Sequence, residues 1–230
     1  MDLIQDLIDK GYLRNKRIIA AFRAVKRADF LPANMPFRER LAELDEALPI
    51  GCGQTISQPA VVAFMLELLE PMPGQNILDI GYGSGWTTAL LAHIATQKGS
   101  PGKVTAIERI EKLAKIGKSN ISRYGFIDRK AARCVSGDGF SGYPKNAPYD
   151  RILASAAANK IPDTWKRQLK NGGIMVAPRG TAIVKIKKIG ESEFIEEHYE
   201  GFVFVPLVKG TDKINNNNKK HEAGTHAKKH

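Results

Sequence analysis

Hydrophobic residues near the start of the chain recur at the spacing of amphipathic helices. Ile18, Ile19, Phe22 and Val25 fall on one helical face. Prolines then interrupt the pattern, because proline cannot donate the backbone hydrogen bond that a continuing helix needs. The predicted elements are helices over residues 2–10 and 16–27, a loop-rich segment over 37–53, and a helix from near Pro59 to Leu69.

From residue 76 onward, short apolar runs alternate with amphipathic segments. Runs such as 76–80 and 103–108 have the length and β-branched content of buried strands. A strand-helix-strand rhythm of this kind predicts an α/β domain with a mostly parallel sheet. The predicted strands cover residues 76–80, 103–108, 132–136, 150–154, 174–177, 183–189 and 194–206, and the predicted helices cover 87–95, 111–124 and 161–169.

The composition is that of a globular protein. The chain has 230 residues, of which 43% are hydrophobic and 26% are charged. Its two cysteines, Cys52 and Cys134, lie far apart in sequence, which argues against a disulfide scaffold or a cysteine-based zinc site. No apolar run approaches the roughly 20 residues of a membrane span, and the N-terminus lacks a signal-peptide pattern. We therefore expect a cytoplasmic protein with no metal site and no membrane association.

Positive charge is in excess, with 35 Lys and Arg against 24 Asp and Glu and a formal net charge of +11. Residues 209–230 hold six lysines against Asp212 and Glu222, so this segment contributes +4. Its asparagine run and scattered Lys and His predict a disordered basic tail over 211–230. The remaining charge is compatible with a nucleic-acid partner or an acidic substrate and requires neither.

A glycine-rich segment from Asp79 to Gly85 follows the first strand of the α/β pattern and precedes a helix. Glycines let a backbone approach a ligand closely, and a helix N-terminus presents free N–H groups. The spacing is G-x-G-x-G, with Gly81 and Gly83 at its start. Trp86 stands where the dinucleotide fingerprint G-x-G-x-x-G has its third glycine, which disfavours a dinucleotide.

Acidic residues lie at or just after the ends of the next two predicted strands. Glu108 ends one of them, where a carboxylate can accept hydrogen bonds from both ribose hydroxyls. Asp138 and Gly139 follow the other, within reach of an adenine amino group. Because the carboxyl ends of parallel strands share one sheet edge, these features indicate a nucleoside-type cofactor such as S-adenosylmethionine. Asp79 either caps N–H groups of the loop or approaches the cofactor.

Several further segments between about Ile18 and Gly210 occur in the order in which one known protein family has them. The most specific of these segments is Gln54-Thr55-Ile56-Ser57-Gln58-Pro59. On these residues the sequence resembles the protein-L-isoaspartate (D-aspartate) O-methyltransferases. The segments that carry the resemblance are 48–59, 78–86, 107–109, 137–139, 142–143, 147–152, 161–162, 168–173 and 204–210. Departures from the residues common in that family occur at Cys52, Trp86, Ala154 and Arg179.

The resemblance implies a Rossmann-like class I methyltransferase fold, with helices on both faces of the sheet and an N-terminal helical addition. It implies an N-terminal helical and substrate-loop region over 1–58 and a methyltransferase domain over 59–210, before the tail over 211–230. The implied reaction moves a methyl group from S-adenosylmethionine to the free carboxylate of L-isoaspartyl and D-aspartyl residues in damaged proteins. S-adenosyl-L-homocysteine is the other product, and repair proceeds through a succinimide.

The resemblance also assigns residues to the site. Ser57 takes the active-site role, with a helix N-cap as the alternative account of this serine. The residues implied to bind the cofactor are Gln54, Thr55, Ile56, Ser57, Asp79, Gly81, Gly83, Glu108, Arg109, Asp138 and Gly139.

Such a reaction needs no conspicuous acid or base, because the acceptor carboxylate is ionised at pH 7 and the leaving group is a neutral thioether. Alignment of the carboxylate oxygen, methyl carbon and sulfur would carry the catalysis. Three alternatives stay open at this stage: a carboxyl methyltransferase for Asp in one dedicated peptide, an RNA methyltransferase, and a cofactor-binding protein without turnover. The leading hypothesis expects a monomer whose partners are isoaspartyl proteins, with no nucleic acid.

Overall fold

The chain folds around a central β-sheet, and the computed structural model describes residues 2–212. In that part of the chain the strands are β1 (Leu48–Gly51), β2 (Gln54–Ile56), β3 (Asn76–Ile80), β4 (Lys103–Glu108), β5 (Ala132–Ser136), β6 (Tyr149–Ala154), β7 (Leu169–Arg179), β8 (Ala182–Lys188) and β9 (Phe194–Glu200). The α-helices are α1 (Leu3–Asp9), α2 (Lys16–Ala24), α3 (Arg38–Ala42), α4 (Pro59–Leu69), α5 (Trp86–Ala95), α6 (Glu111–Ser122) and α7 (Asp163–Gln168).

The larger of the two described sheets has the strand order β5-β4-β3-β6-β7-β8-β9. Neighbours from β5 to β7 pair in parallel, and β8 and β9 extend the sheet as antiparallel strands. The mostly parallel sheet predicted from the sequence is therefore confirmed. The order reverses between β3 and β6, and in open α/β sheets such a switch point opens a crevice at the carboxyl ends of the strands.

Alternate residues of the central strands pack on opposite faces of the sheet, as strand geometry requires. In β3, Ile77 joins a hydrophobic core that includes Leu66 of α4 and Leu90 of α5. Leu78 lies in a second core with Trp165 of α7. Helices thus cover both faces of the sheet, in agreement with the fold expected from the sequence.

The N-terminal helices belong to the first of these cores. Leu7 of α1 and Ile18 of α2 are fully buried, and they pack in the same cluster as Leu66 and Leu90. One hydrophobic core therefore contains residues from both sides of position 58. The division into regions 1–58 and 59–210 stays a prediction about organisation.

The segment 37–53 is more ordered than its sequence predicts. It contains α3 and the first strand of a hairpin in which β1 pairs with β2 in antiparallel register. The hairpin turns at Cys52, whose φ of 54° lies in the left-handed region. Glycines on both sides made this segment resemble an irregular loop, and the burial of Ile50 and Ile56 against the core stabilises the strands instead.

Three predicted boundaries are wrong. The second helix ends at Ala24 rather than residue 27, because Arg27–Phe30 forms a separate 3₁₀ turn. The strand predicted over residues 174–177 is longer and spans Leu169–Arg179, so it begins directly after the helix Asp163–Gln168. The last strand ends at Glu200 instead of residue 206, because Gly201 turns the chain at a φ of 96°.

The predicted tail lies almost entirely outside the described residues. Of 211–230, the structure describes only Thr211 and Asp212, and Asp212 forms an ion pair with Arg109. None of the helices within residues 2–212 is long and apolar enough to cross a membrane.

Candidate functional site

A cavity of about 480 Å³ lies at the carboxyl edge of the parallel sheet, beside the switch point between β3 and β6. Its wall is built from the hairpin, the loops that follow β3 and β4, and a C-terminal segment. The lining comprises residues 47, 50, 53–58, 61, 62, 80–84, 86, 87, 107–110, 139, 155, 156 and 203–208. The sequence predicts ligand-binding groups at the carboxyl ends of the parallel strands, and the cavity lies at this edge of the sheet.

The glycine loop after β3 needs two of its glycines for different reasons. Gly81 has a φ of 81° and donates its N–H to the Ile107 carbonyl at 2.8 Å, which turns the loop across the end of β4. Gly85 has a φ of 92°, and a Cβ there would lie 2.8 Å from the Gly117 carbonyl oxygen of α6. The loop therefore allows α5 to pack closely against α6, and a residue with a side chain would not fit at position 85.

Glu108, at the end of β4, faces the cavity and is only 6% exposed. Its Oε2 accepts the Gly83 N–H at 3.0 Å, and its Oε1 accepts the Ile110 N–H at 2.9 Å. A carboxylate oxygen can accept more than one hydrogen bond, so each oxygen keeps capacity for a ligand donor. Glu108 thus fixes the glycine loop and offers a desolvated negative charge to the cavity.

Asp79 is fully buried and does not line the cavity. Its Oδ2 accepts hydrogen bonds from the hydroxyls of Thr87 at 3.0 Å and Thr88 at 2.6 Å, while Oδ1 is buried without a partner in the described chain. Asp79 therefore ties β3 to the first turn of α5, and does not cap the loop N–H groups. Burial raises the pKa of this carboxyl to about 6. Its predicted contact with a cofactor stays a prediction.

Asp79→Asn should change how stability depends on pH. Because the folded pKa of Asp79 lies above that of the unfolded chain, ionising this group costs stability as pH rises from about 4 to above 6. The free energy of unfolding of the wild type, relative to that of the variant, should fall by about 2–3 kcal/mol across this window. Urea unfolding between pH 4.5 and 7.5 measures this difference. Asp163→Asn, at an exposed carboxylate, is the control, and a flat difference for Asp79→Asn would refute the assignment.

The sequence Gln54–Ile56 forms β2, and the residues from Gln54 to Ser57 all line the cavity. The helix that follows begins at Pro59, with Gln58 as its N-cap residue. The carboxylate of Asp45 accepts the Ala60 N–H at 2.8 Å and so takes over the capping. The N-cap explanation of Ser57 is therefore wrong. Within residues 2–212 the Ser57 hydroxyl has no hydrogen-bond partner, so it is free to bind a ligand.

Residues 203–212, which we call the strap, cross the carboxyl ends of the strands and close one side of the cavity. In its first half, the Val205 carbonyl accepts the Ala157 N–H at 2.8 Å, and the Leu207 N–H is donated to the Ala157 carbonyl at 2.7 Å. In its second half, Gly210 donates its N–H to Asp138 Oδ2 at 2.8 Å. The strap is thereby held at both ends.

Asp138 and Arg109, both predicted cofactor ligands, hold the strap in this structure. Asp138 does not line the cavity, and its Oδ1 accepts the Phe140 N–H at 2.9 Å. Arg109 lines the cavity but donates two hydrogen bonds of 2.8 Å to Asp212, and a third of 3.1 Å to the Gly210 carbonyl. Gly139 lines the cavity directly. Direct contact of Asp138 or Arg109 with a cofactor stays a prediction.

Three of the four departures noted in the sequence have local explanations. Trp86 is buried, and its ring packs edge-on against Phe22 with centroids 5.5 Å apart, as expected for a helix-packing residue. Arg179 forms an ion pair with Glu196 of β9 at 3.2 Å. Cys52 is an exposed residue at the hairpin turn, where its backbone takes a φ of 54°. Nothing in the structure explains Ala154.

The electrostatic character of the cavity follows from its lining. In the described lining, Arg109 is the one cationic side chain, and Asp212 already engages it. No histidine, lysine or cysteine lines the cavity within residues 2–212. Among the same residues, no three His, Cys, Asp or Glu side chains are grouped to hold a metal ion. The arrangement is suited to aligning reactants by neutral hydrogen-bond donors rather than to proton transfer.

Comparisons of sequence support this interpretation. The model of one protein family, described as protein-L-isoaspartate(D-aspartate) O-methyltransferase, matches residues 1–212. A Staphylothermus marinus protein named protein-L-isoaspartate O-methyltransferase is 41% identical over 204 residues, which are 86% of this chain and 88% of that protein. A Methanopyrus kandleri protein of the same name is 40% identical over 210 residues, covering 90% and 89% of the two chains.

Solved structures give the same picture. A Plasmodium falciparum structure, titled as a protein-L-isoaspartate O-methyltransferase in complex with S-adenosyl-L-homocysteine, superposes with a TM-score of 0.79 at 21% identity. The match covers 90% of this chain and 97% of that chain, and it shows a shared fold. A second structure titled protein-L-isoaspartate O-methyltransferase has a TM-score of 0.78 at 27% identity, covering 89% of this chain and 64% of its own.

Proposed function

Because the chain belongs to the protein-L-isoaspartate(D-aspartate) O-methyltransferase family, we propose that it methylates the free carboxylate of isoaspartyl and D-aspartyl residues in damaged proteins, using S-adenosylmethionine. Membership confirms the resemblance found in the sequence, and with it the Rossmann-like methyltransferase fold. One observation carries the proposal for the site: the hairpin residues Gln54–Ser57 and the carboxylate of Glu108 line the same cavity.

The residues of the cavity fit S-adenosylmethionine. A volume of about 480 Å³ falls within the roughly 300–1,000 Å³ of sites for ligands of this size. Glu108 would accept hydrogen bonds from the ribose hydroxyls, and Gly81 and Gly83 leave room for close approach of the ligand to the loop. When bound, S-adenosylmethionine supplies a methyl group on a positively charged sulfur and is left as a neutral thioether.

The chain needs only to orient the acceptor. A carboxylate with an ordinary pKa of about 4 is ionised at pH 7, so no general base is required. Ser57 would donate its hydroxyl hydrogen to one carboxylate oxygen and fix the direction from which the other oxygen attacks. Since the one described cation of the lining is engaged by Asp212, the acceptor is held by neutral donors.

The methyl ester then reacts further without the enzyme, and this reaction carries out the repair. The backbone nitrogen that follows the isoaspartyl residue attacks the ester carbonyl, methanol leaves, and a succinimide closes. Water opens this ring at either carbonyl and so returns part of the material to normal aspartate. The enzyme contributes the ester alone, so the ring closure and its hydrolysis require no group of the cavity.

Asp212→Asn should weaken cofactor binding modestly. The variant replaces a charged, bidentate contact of Arg109 with a neutral one, and it loosens the strap beside the cavity. Asp212 is 60% exposed, so solvent screens the pair, and we expect the Kd for S-adenosylmethionine to rise about two- to fivefold. Isothermal titration measures this change. Glu39→Gln, which removes the exposed pair with Arg38, is the control, and an unchanged Kd in Asp212→Asn would contradict the role given to the strap.

A peptide panel tests the breadth expected of a repair enzyme. Isoaspartyl peptides with varied neighbours should all accept the methyl group, and peptides with ordinary aspartate should not. Transfer to one aspartyl sequence alone would instead support a dedicated peptide substrate, which the family names do not favour. Transfer to RNA, or cofactor binding without any turnover, would revive the other two alternatives.

The cellular setting is part of the proposal. We propose a cytoplasmic monomer that acts on isoaspartyl proteins without a nucleic-acid partner. The two cysteines support a reducing compartment, since both Cys52 and Cys134 are free. Size-exclusion chromatography with light scattering tests the monomer, and a salt-dependent RNA-binding titration tests the absence of a nucleic-acid partner.

A further inference from the structure

A buried arginine outside the cavity connects three segments around Ser57. Arg27, in the 3₁₀ turn Arg27–Phe30, is 6% exposed. Its Nη1 donates to the carbonyls of Ala42 at 3.3 Å and Leu44 at 3.0 Å. Its Nη2 donates to the carbonyls of Glu46 at 2.6 Å and Ser57 at 3.2 Å. One guanidinium thus joins three parts of the chain: the 3₁₀ turn, the peptide group of Ser57, and the end of α3 with the loop after it, which we call the loop of residues 42–46.

The charge on Arg27 has no ion-pair partner in the described chain. Asp45 and Glu43 lie close enough to favour the charge but beyond ion-pair distance, and burial lowers the arginine's pKa to about 10. The side chain therefore stays charged at pH 7. The guanidinium carbon lies 5.5 Å from the centre of the Trp86 ring, and Trp86 itself lines the cavity.

Asp45 also connects the loop of residues 42–46 to the segment that contains Ser57, through its own side chain. Its Oδ1 accepts the Ala60 N–H at 2.8 Å, and its Oδ2 accepts a hydrogen bond from the Gln58 side chain at 3.1 Å. The loop of residues 42–46 is therefore held against residues 57–60 both through its carbonyls, by Arg27, and through its own carboxylate. Ser57 lies between these two sets of contacts.

We propose that Arg27 is a positioning residue for methyl transfer, which sets the place of the Ser57 hydroxyl through the Ser57 carbonyl and the loop of residues 42–46. The inference rests on the proposed function and deepens it. Arg27 does not line the cavity, so it acts through Ser57 and touches neither reactant. In well-oriented reactions, a displacement of about 1 Å can cost 10²-fold in rate.

The geometry explains why arginine stands at this position. The four carbonyls come from separate peptide groups, and a planar guanidinium presents donors on separate nitrogen atoms. Lysine keeps the charge, but its three donors share one nitrogen and cannot reach both sides of the fork. Arg27→Lys therefore separates orientation from charge.

The matched control is Arg151→Lys. Arg151, in β6, also binds backbone carbonyls: Nε donates to Glu70 at 3.1 Å and Nη1 to Asp150 at 2.9 Å. Burial lowers the pKa of Arg151 as well, and its side chain does not line the cavity. The same substitution thus removes comparable contacts from another part of the sheet.

The experiment compares wild type, Arg27→Lys and Arg151→Lys for kcat and KM with an isoaspartyl peptide, for the Kd of S-adenosylmethionine, and for Tm. Arg27→Lys should lower kcat/KM for the peptide about 10- to 100-fold and change the cofactor Kd by less than about threefold. Arg151→Lys should lower Tm and keep kcat/KM. If both variants have a lower Tm and both keep the wild-type kcat/KM, Arg27 is only structural and the proposal is overturned.

A second variant decides the question if Arg27→Lys does not fold. Asp45→Ala loosens the same loop and leaves the Arg27 side chain itself unchanged, and it should also lower peptide kcat/KM while leaving cofactor affinity unchanged. Faster amide hydrogen exchange over residues 42–58 should accompany this loss. Wild-type kcat/KM and unchanged exchange in Asp45→Ala would overturn the proposal. Failure of the wild type to methylate the peptide would count against the proposed function itself, so the two failures are distinguishable.

Discussion

Ser57→Ala should lower kcat for methyl transfer to an isoaspartyl peptide by about 10²-fold, while the Kd for S-adenosylmethionine changes by less than about threefold. The expected loss corresponds to about 2.7 kcal/mol of transition-state stabilisation, a usual value for one oriented donor in an enclosed site. The hydroxyl is free of other hydrogen bonds in the described chain, so its removal should not disturb the fold. Steady-state kinetics and calorimetric titration give the two quantities.

The control for this prediction is Ser122→Ala, which makes the same chemical change at a half-buried serine of α6 that does not line the cavity. It should keep both kcat and the cofactor Kd. Equal losses of kcat and cofactor affinity in Ser57→Ala would indicate a binding residue. Full activity would remove Ser57 from the mechanism and leave its exposure to the cavity unexplained.

Glu108→Ala should raise the Kd for S-adenosylmethionine by about 100-fold or more. Hydrogen bonds to a charged acceptor contribute about 1.5–3 kcal/mol each, and the variant would lose those to the ribose. It would also release the N–H groups of Gly83 and Ile110, which the Glu108 carboxylate fixes at 3.0 and 2.9 Å. The glycine loop would then lose its preorganised shape, which adds to the loss of affinity.

Two further variants sharpen the assignment of Glu108. Glu108→Gln keeps an acceptor oxygen but loses the charge, so its Kd should lie between those of the wild type and the alanine variant. Glu111→Ala, which removes the ion pair between Glu111 and Lys115, should bind the cofactor as the wild type does. An unchanged Kd in Glu108→Ala would show that the ribose lies elsewhere.

The parts of the site that lie on regular elements could be predicted from the sequence. Strand β3, the glycine loop and Glu108 follow one another in a short stretch whose hydrophobic pattern, spacing and turn residues all agree. The Gln54–Ser57 segment was found by its resemblance to a family, and the structure brings it to the same cavity as Glu108. Local sequence therefore sufficed for Glu108, but not for Asp138, which also follows a strand end and yet holds the strap instead of lining the cavity.

The parts that depend on distant contacts could not be predicted. The sequence predicts a strand that runs to residue 206 and so includes the start of the strap, whereas the path of the strap is set by hydrogen bonds to Ala157 and Asp138, far away in sequence. Asp212 was assigned to the tail because the surrounding composition is of low complexity, yet it pairs with Arg109. Arg27 had no signal at all, because nothing local shows that a basic residue will be buried.

These contacts change the view of the N-terminal region. The sequence suggested a helical addition beside a catalytic domain, and the structure places Leu7 and Ile18 in the main core. Arg27 lies in the same region and supports the peptide group of Ser57. We therefore expect the N-terminal region to act in catalysis and to be required for more than stability.

The most direct test of the account is methyl transfer to a matched pair of peptides that differ only in isoaspartate or aspartate at one position. The wild-type protein is incubated with S-adenosylmethionine carrying a labelled methyl group, and base-labile label is counted in each peptide. The account predicts label in the isoaspartyl peptide, little in the aspartyl peptide, and loss of label in Ser57→Ala. Equal labelling of both peptides, or none in either while cofactor binding is intact, would contradict it.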